Sequence, residues 1–248
     1  MRLTVLGRSG GYARAGEACS GYLVEDGGRR ILLDLGNGVL SRLLERLDVY
    51  ALDGLVLSHM HPDHVADFPS LRVALEWSHP SGSWGGHLPV MAGQDAPAYL
   101  AGYAGDDAMR CFDILRIRPG TAVDFCGFRL RFARASHPVP TYAVRIESGG
   151  CALVYTADTG PSDDVVCLAE GADLLLAEAT LTDAYEHLAA SVGHLTGSMA
   201  GEMAARAGVG RLLLTHFFPT SDPQESARQA QKAFGDVACA EERRTYEV

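Results

Sequence analysis

The 248-residue sequence has no run of about 20 consecutive apolar residues, the length that a membrane-spanning helix needs. It also has no low-complexity segment, no short-period repeat and no linker-like stretch. We therefore expect a single domain over residues 1–248 and no membrane partner. Residues 1–7 are typical of a first β-strand and are too short for the apolar core of a signal peptide, so we expect a cytoplasmic protein.

The sequence lacks a Cys-x-x-Cys pair, and it lacks an excess of basic residues. Its six cysteines are widely scattered, which predicts reduced thiols rather than a disulfide framework. The formal net charge is −10, because 21 Lys and Arg stand against 31 Asp and Glu. Proteins that bind long nucleic acids usually carry the opposite charge, since they neutralise phosphates. A small substrate is therefore the expected partner, and a nucleic acid is the disfavoured alternative.

One short segment concentrates metal-binding side chains. Residues 58–64 read Ser-His-Met-His-Pro-Asp-His and directly follow the apolar segment Leu55–Leu57. Imidazole and carboxylate groups are the ligands that zinc and similar divalent metals prefer. Four such side chains within six residues predict a metal site: His59, His61, Asp63 and His64.

Other apolar runs also end in side chains that bind metals or transfer protons. Phe128–Ala133 precedes His137, Ala152–Tyr155 precedes Asp158, Leu174–Leu176 precedes Glu178, and Leu212–Leu214 precedes His216. Strand ends in a layered α/β fold meet along one edge. We therefore expect these side chains to converge with the segment at residues 59–64.

Three helices can be predicted from spacing and end signals. Residues Asn37–Asp48 have apolar side chains at helical spacing, with Asn37 as the expected cap. Residues Ser198–Ala207 are closed by Gly208, which is a helix-stop signal. Pro223 suits the first turn of a last helix that we expect to reach about Phe234.

The His-x-His-x-Asp-His pattern resembles the signature of the metallo-β-lactamase superfamily. Later positions match that family in order and spacing: His137 in Ser-His-Pro, Asp158 in Thr-Ala-Asp-Thr-Gly, and His216 in Leu-Thr-His. The resemblance covers nearly the whole chain. It implies an α/β fold, a four-layer αββα sandwich of two mixed β-sheets.

The resemblance also implies a site for two divalent metal ions. One ion would be held by His59, His61 and His137, and the other by Asp63, His64 and His216, with Asp158 bridging them. Zinc is the expected metal from the ligand types, with Mn²⁺ and Fe²⁺ as alternatives. Asp34, in Leu-Asp-Leu-Gly, either orients a ligand or caps a helix. Homodimers are common in the family, so the resemblance implies a homodimer.

Two further motifs resemble those of ribonuclease Z. Residues 177–180, Ala-Glu-Ala-Thr, are similar to its His-Glu-Ala-Thr motif, with Ala177 in place of the first His, and Gly193–Thr196 is similar to its later His-x-Thr motif. The resemblance implies a proton-handling pair, in which His194 acts as general acid towards the departing sugar oxygen and Glu178 orients it. A positioned general acid contributes roughly 10²–10⁴ in rate. Asp63 is also expected to take part in catalysis.

The substrate expected from the resemblance is a small phosphodiester. Ribonuclease Z grips transfer RNA with an inserted basic arm, whereas the segment between His137 and Asp158 is predicted to be only a hairpin around residues 148–150. The chain most resembles a compact bacterial branch that includes cyclic-nucleotide phosphodiesterases. The leading hypothesis is hydrolysis of 3′,5′-cyclic AMP, or a related cyclic nucleotide, by a metal-bridging hydroxide.

Three alternatives remain open from the sequence. The first is transfer RNA 3′ processing, the second is hydrolysis of a carboxylic ester, lactone or thioester, and the third is a non-enzymatic metal-binding or interaction protein. Two irregular loops, Ser9–Ser20 and His79–Gly93, either shape the mouth of the site or serve as simple connections. The remaining histidines, His79, His87 and His187, are predicted to lie at the surface.

Overall fold

The structure, a computed structural model, describes residues 1–77 and 86–248, apart from the side chains of residues 106–108. Within these residues, two mixed seven-stranded β-sheets lie at the centre of the fold. The first sheet has the order β14 (Thr245–Glu247), β1 (Arg2–Gly7), β2 (Gly21–Asp26), β3 (Arg29–Leu33), β4 (Gly54–Val56), β5 (Leu88–Ala92) and β6 (Phe112–Arg116). The second has the order β13 (Val237–Cys239), β12 (Arg211–Thr215), β11 (Leu174–Glu178), β10 (Cys151–Tyr155), β9 (Tyr142–Ser148), β8 (Phe128–Arg134) and β7 (Val123–Phe125).

The helices lie outside the two sheets. In chain order they are α1 (Val39–Leu44), α2 (Pro62–Val65), α3 (Phe68–Trp77), α4 (Ala96–Ala104), α5 (Asp163–Ala169), α6 (Ala189–Val192), α7 (Gly197–Ala207) and α8 (Pro223–Ala230). Short 3₁₀ segments occupy Val49–Ala51, Asp106–Cys111 and Asp183–Leu188. No helix in the described part of the chain is long and apolar enough to cross a membrane.

Both faces of each sheet are buried, and this produces the four layers. In β3, Ile31 and Leu33 point into the core between the sheets, whereas Leu32 points into the core under the helices. This alternation follows from the two-residue period of a strand. Helices α1, α3 and α4 cover the first sheet, and α5, α7 and α8 cover the second. The predicted αββα sandwich is therefore confirmed.

The strand directions explain why the predicted side chains converge. Strands β8 and β9, and β9 and β10, pair antiparallel, whereas β10, β11 and β12 pair in parallel. Strands β8, β10, β11 and β12 therefore run in the same direction, and their carboxyl ends lie at one edge of the second sheet. The hairpin between β9 and β10 turns at Gly149 and Gly150, both at positive φ, as the sequence predicted.

Three of the predicted helix ends are wrong. Helix α1 ends at Leu44 rather than near Asp48. Helix α1 is capped by Gly38 at φ 87° rather than by Asn37, and the carboxylate of Asp67 accepts the backbone N–H of Leu40 at 2.9 Å. A cap from a residue this far along the chain leaves no local signal. Helix α8 ends at Ala230 rather than near Phe234 because the chain tightens there, with Lys232 N–H donating to Gln229 O. Helix α7 does end at Gly208, in the left-handed conformation.

Candidate metal centre

Three histidines form a first cluster with one carboxylate. His59 and His61 follow β4, and His137 follows β8. His59 Nε2 lies 3.0 Å from His61 Nδ1, which lies 3.2 Å from His137 Nε2. Oδ2 of Asp158 lies 3.7 Å from His59 Nε2 and 4.0 Å from His137 Nε2. Four candidate ligand atoms therefore surround one point.

A second cluster lies on the other side of Asp158. His64 Nε2 and His216 Nε2 are 3.2 Å apart, and each is 3.3 Å from Oδ1 of Asp158. Asp63 Oδ2 completes the cluster at 3.1 Å from His216 Nε2. In each cluster the candidate ligand atoms lie within 4.8 Å of one another.

Asp158 is shared by the two clusters, with one oxygen facing each. Its side chain is buried, and its Oδ1 atom has no hydrogen-bond partner among the described residues. A buried carboxylate oxygen without a partner is costly, because it has lost its hydration. Two divalent cations would satisfy both oxygens of Asp158 and the lone pairs of the facing imidazoles, so the residues present fit a two-metal site.

The imidazole tautomers are set by hydrogen bonds on the far side of each ring. Nδ1 of His64 donates to Asp34 Oδ2 at 2.8 Å, and Nδ1 of His137 donates to the carbonyl of Gly193 at 2.8 Å. An N–H at Nδ1 leaves a lone pair at Nε2, which is the form that binds a metal. Asp34 therefore contacts a candidate ligand directly, and it does not cap α1.

Burial and charge oppose each other at the two clusters. Burial lowers the pKa values of His59, His61 and His137 below the usual imidazole value, which favours the neutral form that binds metals. Burial alone would raise the pKa of Asp158, but the charges of His216 and His64 outweigh it and hold that pKa well below its usual range. The three imidazoles of the first cluster therefore favour the neutral form. In the second cluster, burial alone would lower the pKa of His64, but the carboxylates of Asp158, Asp34 and Asp63 outweigh it and raise that pKa.

Glu178 and His194 form a third group beside the second cluster. Glu178 is fully buried at the end of β11, and its Oε1 accepts from Thr159 N at 2.7 Å and from His194 Nδ1 at 2.9 Å. Burial opposes protonation of His194, but the charge and hydrogen bond of Glu178 outweigh it and raise the pKa of His194 to about 9. With Nδ1–H engaged by Glu178, the Nε2–H group of His194 is the one available to a substrate.

Thr180 connects this pair to the candidate metal ligands. Its hydroxyl donates to Glu178 Oε2 at 2.6 Å and accepts from His216 Nδ1 at 2.8 Å. The rings of His194 and His216 are stacked, with centroids 5.7 Å apart. Sequence reasoning missed this role of Thr180, although the Ala-Glu-Ala-Thr motif contains it. The structure thus brings together all seven predicted ligands and both residues of the predicted proton-handling pair; their roles stay predictions.

The loop at Ser9–Ser20 contacts the second cluster, a role that the sequence left undecided. Gly11 N–H donates to Asp63 Oδ2 at 2.6 Å. A Cβ atom at Gly10 would lie 2.6 Å from the His216 ring, so the loop passes too close for any side chain there. The adjacent Gly10-Gly11 pair was the available signal, because glycine permits such close approach.

The remaining histidines lie away from the clusters wherever the structure describes them. His87 and His187 are exposed, as predicted. Nδ1 of His87 lies 3.1 Å from Asp113 Oδ1. His79 and the following residues of the predicted loop, up to residue 85, lie outside the described residues. The rest of the predicted loop is wrong in part, because Leu88–Ala92 form the buried strand β5. All six cysteines are free thiols, and Cys19, Cys111 and Cys239 are buried.

The family described as "Beta-lactamase superfamily domain" matches residues 29–217, which contain the two clusters and the Glu178–His194 pair. The chain belongs to the metallo-β-lactamase superfamily. It is 35% identical to a Bacillus subtilis protein named "Probable metallo-hydrolase YhfI" over 223 residues, 87% of this chain and 86% of YhfI. The crystal structure of YhfI matches with a TM-score of 0.89 at 31% identity, over 100% of this chain and 98% of YhfI.

Two further relatives bear on the site. Ribonuclease Z of Mycobacterium sp. strain KMS is 31% identical over 250 residues, 92% of this chain and 87% of that protein. Zn²⁺-bound PqqB from Methylobacterium extorquens matches over 100% of both chains with a TM-score of 0.78. Its identity is 19%, so the match to PqqB shows the shared fold alone. The fold, the buried His/Asp clusters and the similarity to YhfI together indicate a metal-dependent hydrolase.

Proposed function

We propose that the protein is a dinuclear metal-dependent phosphodiesterase that hydrolyses a small phosphodiester of the 3′,5′-cyclic nucleotide class. The observation that carries the proposal is the pair formed by Glu178 and His194, at 2.9 Å, directly beside two clusters that share Asp158. The similarity to ribonuclease Z supports phosphodiester chemistry. Zinc is the proposed metal, since the ligands are imidazoles and carboxylates.

His194 is proposed to act as the general acid. Hydrolysis adds a water oxygen to phosphorus and breaks the bond from phosphorus to the 3′ oxygen. An alkoxide is a poor leaving group, so the 3′ oxygen needs a proton as the bond breaks. The Nε2–H group of His194 supplies that proton, and Glu178 stabilises the cationic ring through Nδ1–H.

The environment of Glu178 keeps this acid in place. Glu178 accepts hydrogen bonds from Thr159 N–H, from the Thr180 hydroxyl and from His194. These three donors, from three different segments of the chain, fix the position of the carboxylate. The 5.1 Å separation of the His137 and His194 ring centroids places the acid close to both clusters. Two divalent cations in the clusters would offset charge at phosphorus and lower the pKa of water.

A small substrate is favoured over transfer RNA. The segment between β9 and β10 is a tight hairpin, so no arm is inserted between these described strands. The net charge of −10 also opposes a long polyanion. The alternating arginines Arg129 and Arg131 lie on an exposed strand face, where Arg131 pairs with Glu147.

A substrate panel tests the proposal. The metal-loaded enzyme would be offered 3′,5′-cyclic AMP, a bis-aryl phosphodiester, a precursor transfer RNA, a lactone and a thioester. We expect hydrolysis of the first two, and we expect Asp158→Ala to abolish it. Turnover of the lactone or thioester without any phosphodiester cleavage would contradict the proposal. Cleavage of the transfer RNA alone would favour transfer RNA 3′ processing over hydrolysis of a small phosphodiester.

A further inference from the structure

A cavity of about 520 Å³ lies next to the proposed general acid. Its wall includes Thr180, whose hydroxyl contacts both Glu178 and His216. It also includes Phe218, two residues after His216. The volume falls in the range of about 300–1,000 Å³ that is typical of small-molecule sites. The cavity therefore adjoins the Glu178–His194 pair through Thr180, whose hydroxyl lies 3.3 Å from His194 Nδ1, and it is large enough for a substrate moiety.

Aromatic side chains are exposed at this cavity. Phe218 and Tyr185 both line it and are 41% and 54% exposed. Tyr12 meets the Phe218 ring edge-on, with centroids 5.7 Å apart at 87°. Exposed aromatic rings grouped beside a catalytic group are typical of binding sites, since flat rings stack on them.

The segment that carries Phe218 is held in place from the N-terminal loop. Arg14 donates from Nε to Pro219 O at 2.9 Å and from a terminal nitrogen to Ser221 O at 2.7 Å. Phe218 and Ser221 thus lie on one turn held by Arg14, in which Ser221 N–H also donates to Phe218 O at 2.9 Å. A preformed wall loses little conformational entropy when a ligand binds.

The charged residues that line the cavity disfavour binding of a phosphate group there. Among the described lining residues none is Arg, Lys or His, whereas Asp222 and Glu225 are both present. Both oxygens of Asp222 have partners, Gln224 N–H on Oδ1 and Arg228 on Oδ2. Glu225 accepts from Gln229 Nε2 through Oε1 at 3.3 Å, which leaves Oε2 as the carboxylate oxygen best placed to accept from a ligand. Such a lining repels a phosphate and favours a neutral group with N–H donors.

We propose that this cavity binds the base of the substrate, and that the base is an aminopurine. The purine ring would stack on Phe218 and Tyr185, and its exocyclic amine would donate to Glu225. The inference rests on the proposed function, because it assumes that the group attached to the scissile phosphate lies beside His194. It adds the prediction that base identity, and not only the phosphodiester, determines which substrate is used.

Equilibrium binding of nucleosides tests the cavity without catalysis. Adenosine, inosine and ribose would be titrated into the metal-loaded protein by calorimetry. We expect adenosine to bind, inosine to bind about 10-fold more weakly because it lacks the amine, and ribose not to bind. Phe218→Ala should weaken adenosine about 5- to 150-fold, the range for loss of one base-stacking ring. Trp77→Ala, which removes an exposed ring on α3, should leave binding unchanged.

Selectivity provides a readout that misfolding cannot mimic. Glu225→Leu should bring the adenosine and inosine affinities together, and thermal melting should show each variant folded. The activity arm compares cyclic AMP with ribose 3′,5′-cyclic phosphate, which lacks a base. We expect Phe218→Ala to raise the KM for cyclic AMP by a larger factor than the KM for the base-free ring.

The outcomes separate this inference from the proposed function. Equal effects of Phe218→Ala on both cyclic phosphates, or equal binding of adenosine by wild type and Phe218→Ala, would overturn the cavity assignment while the phosphodiesterase stands. Binding of adenosine as expected without cleavage of any phosphodiester would overturn the proposed function, and the cavity would then be an aminopurine site that serves another reaction.

Discussion

Oδ2 of Asp34 lies 2.8 Å from Nδ1 of His64, and both side chains are fully buried. The same oxygen accepts the hydroxyls of Ser58 at 2.8 Å and Tyr155 at 2.9 Å, and Oδ1 accepts the Ser58 N–H. Four donors therefore converge on one carboxylate. Asp34 itself adopts φ 57°, a left-handed conformation that is unusual outside glycine. The fold holds this residue in strain in order to orient His64.

Asp34→Asn should weaken metal binding at the second cluster. The four groups around the Asp34 carboxylate are all hydrogen-bond donors. The Asn amide accepts only through its single oxygen, and its NH₂ group would face donors, so at least one N–H or O–H is left without an acceptor. We expect a 10- to 100-fold loss of metal affinity, the usual effect of removing a group that orients a metal ligand. Metal titration of the apo protein measures it. Asp113→Asn, at an exposed position, is the control, and equal affinity in the two variants would contradict the role.

Gly10→Ala should displace His216. The new Cβ would lie 2.6 Å from the His216 ring and 2.9 Å from its carbonyl oxygen, so the ring or the loop has to move. We expect the loss of one metal per chain and a destabilisation of about 1–3 kcal/mol, typical of overpacking. Metal analysis and thermal melting measure these effects.

Gly102→Ala is the matched control, because nothing lies within 4 Å of its Cβ position and it sits inside α4. Alanine in a helix interior is favoured over glycine, so this variant should keep both metals and full stability. A Gly10→Ala variant that also retained two metals would show that the Gly10-Gly11 loop does not support the second cluster.

Asp158 belongs to both clusters, so its removal should lower the metal content more than removal of a ligand that belongs to one cluster. Asp158→Ala removes an oxygen from both clusters, so we expect less than about one metal per chain after reconstitution. His61→Ala touches only the first cluster and should retain about one. Elemental analysis of the two variants beside His187→Ala, an exposed control, provides the comparison. Two metals per chain in Asp158→Ala would refute the bridging position.

The sequence was most informative where chemistry follows the ends of strands. His59, His137, Asp158 and His216 could be predicted because an apolar run precedes each, and parallel strands bring their ends together. The contacts that the sequence did not predict are those between distant segments with no side-chain motif. Gly11 N–H reaches Asp63 across 52 positions, and the carboxylate of Asp67, rather than the side chain of Asn37, accepts a first-turn N–H of α1. Contacts made by backbone groups, and caps supplied by distant residues, produce no residue spacing that could be recognised in the sequence.

The cavity beside Thr180 was also beyond sequence reasoning. Its lining comes from two separate segments, residues 180–188 and residues 218–225, and apart from Thr180 neither carries a recognisable motif. Phe218 and Tyr185 look like ordinary apolar residues in the sequence, and only their exposure at a cavity lined by Thr180 distinguishes them. Exposure is a property of packing, and so it could not be obtained from composition or periodicity.

The dependence of the His194→Ala variant on the leaving group tests whether His194 protonates the departing oxygen. The variant should keep two metals per chain, lose about 10²–10⁴ in kcat for cyclic AMP, and lose less than about 10-fold for a 4-nitrophenyl phosphodiester, whose leaving group needs no proton. His187→Ala should match wild type on both substrates. Equal losses of kcat on the two substrates, with both metals retained, would contradict the account.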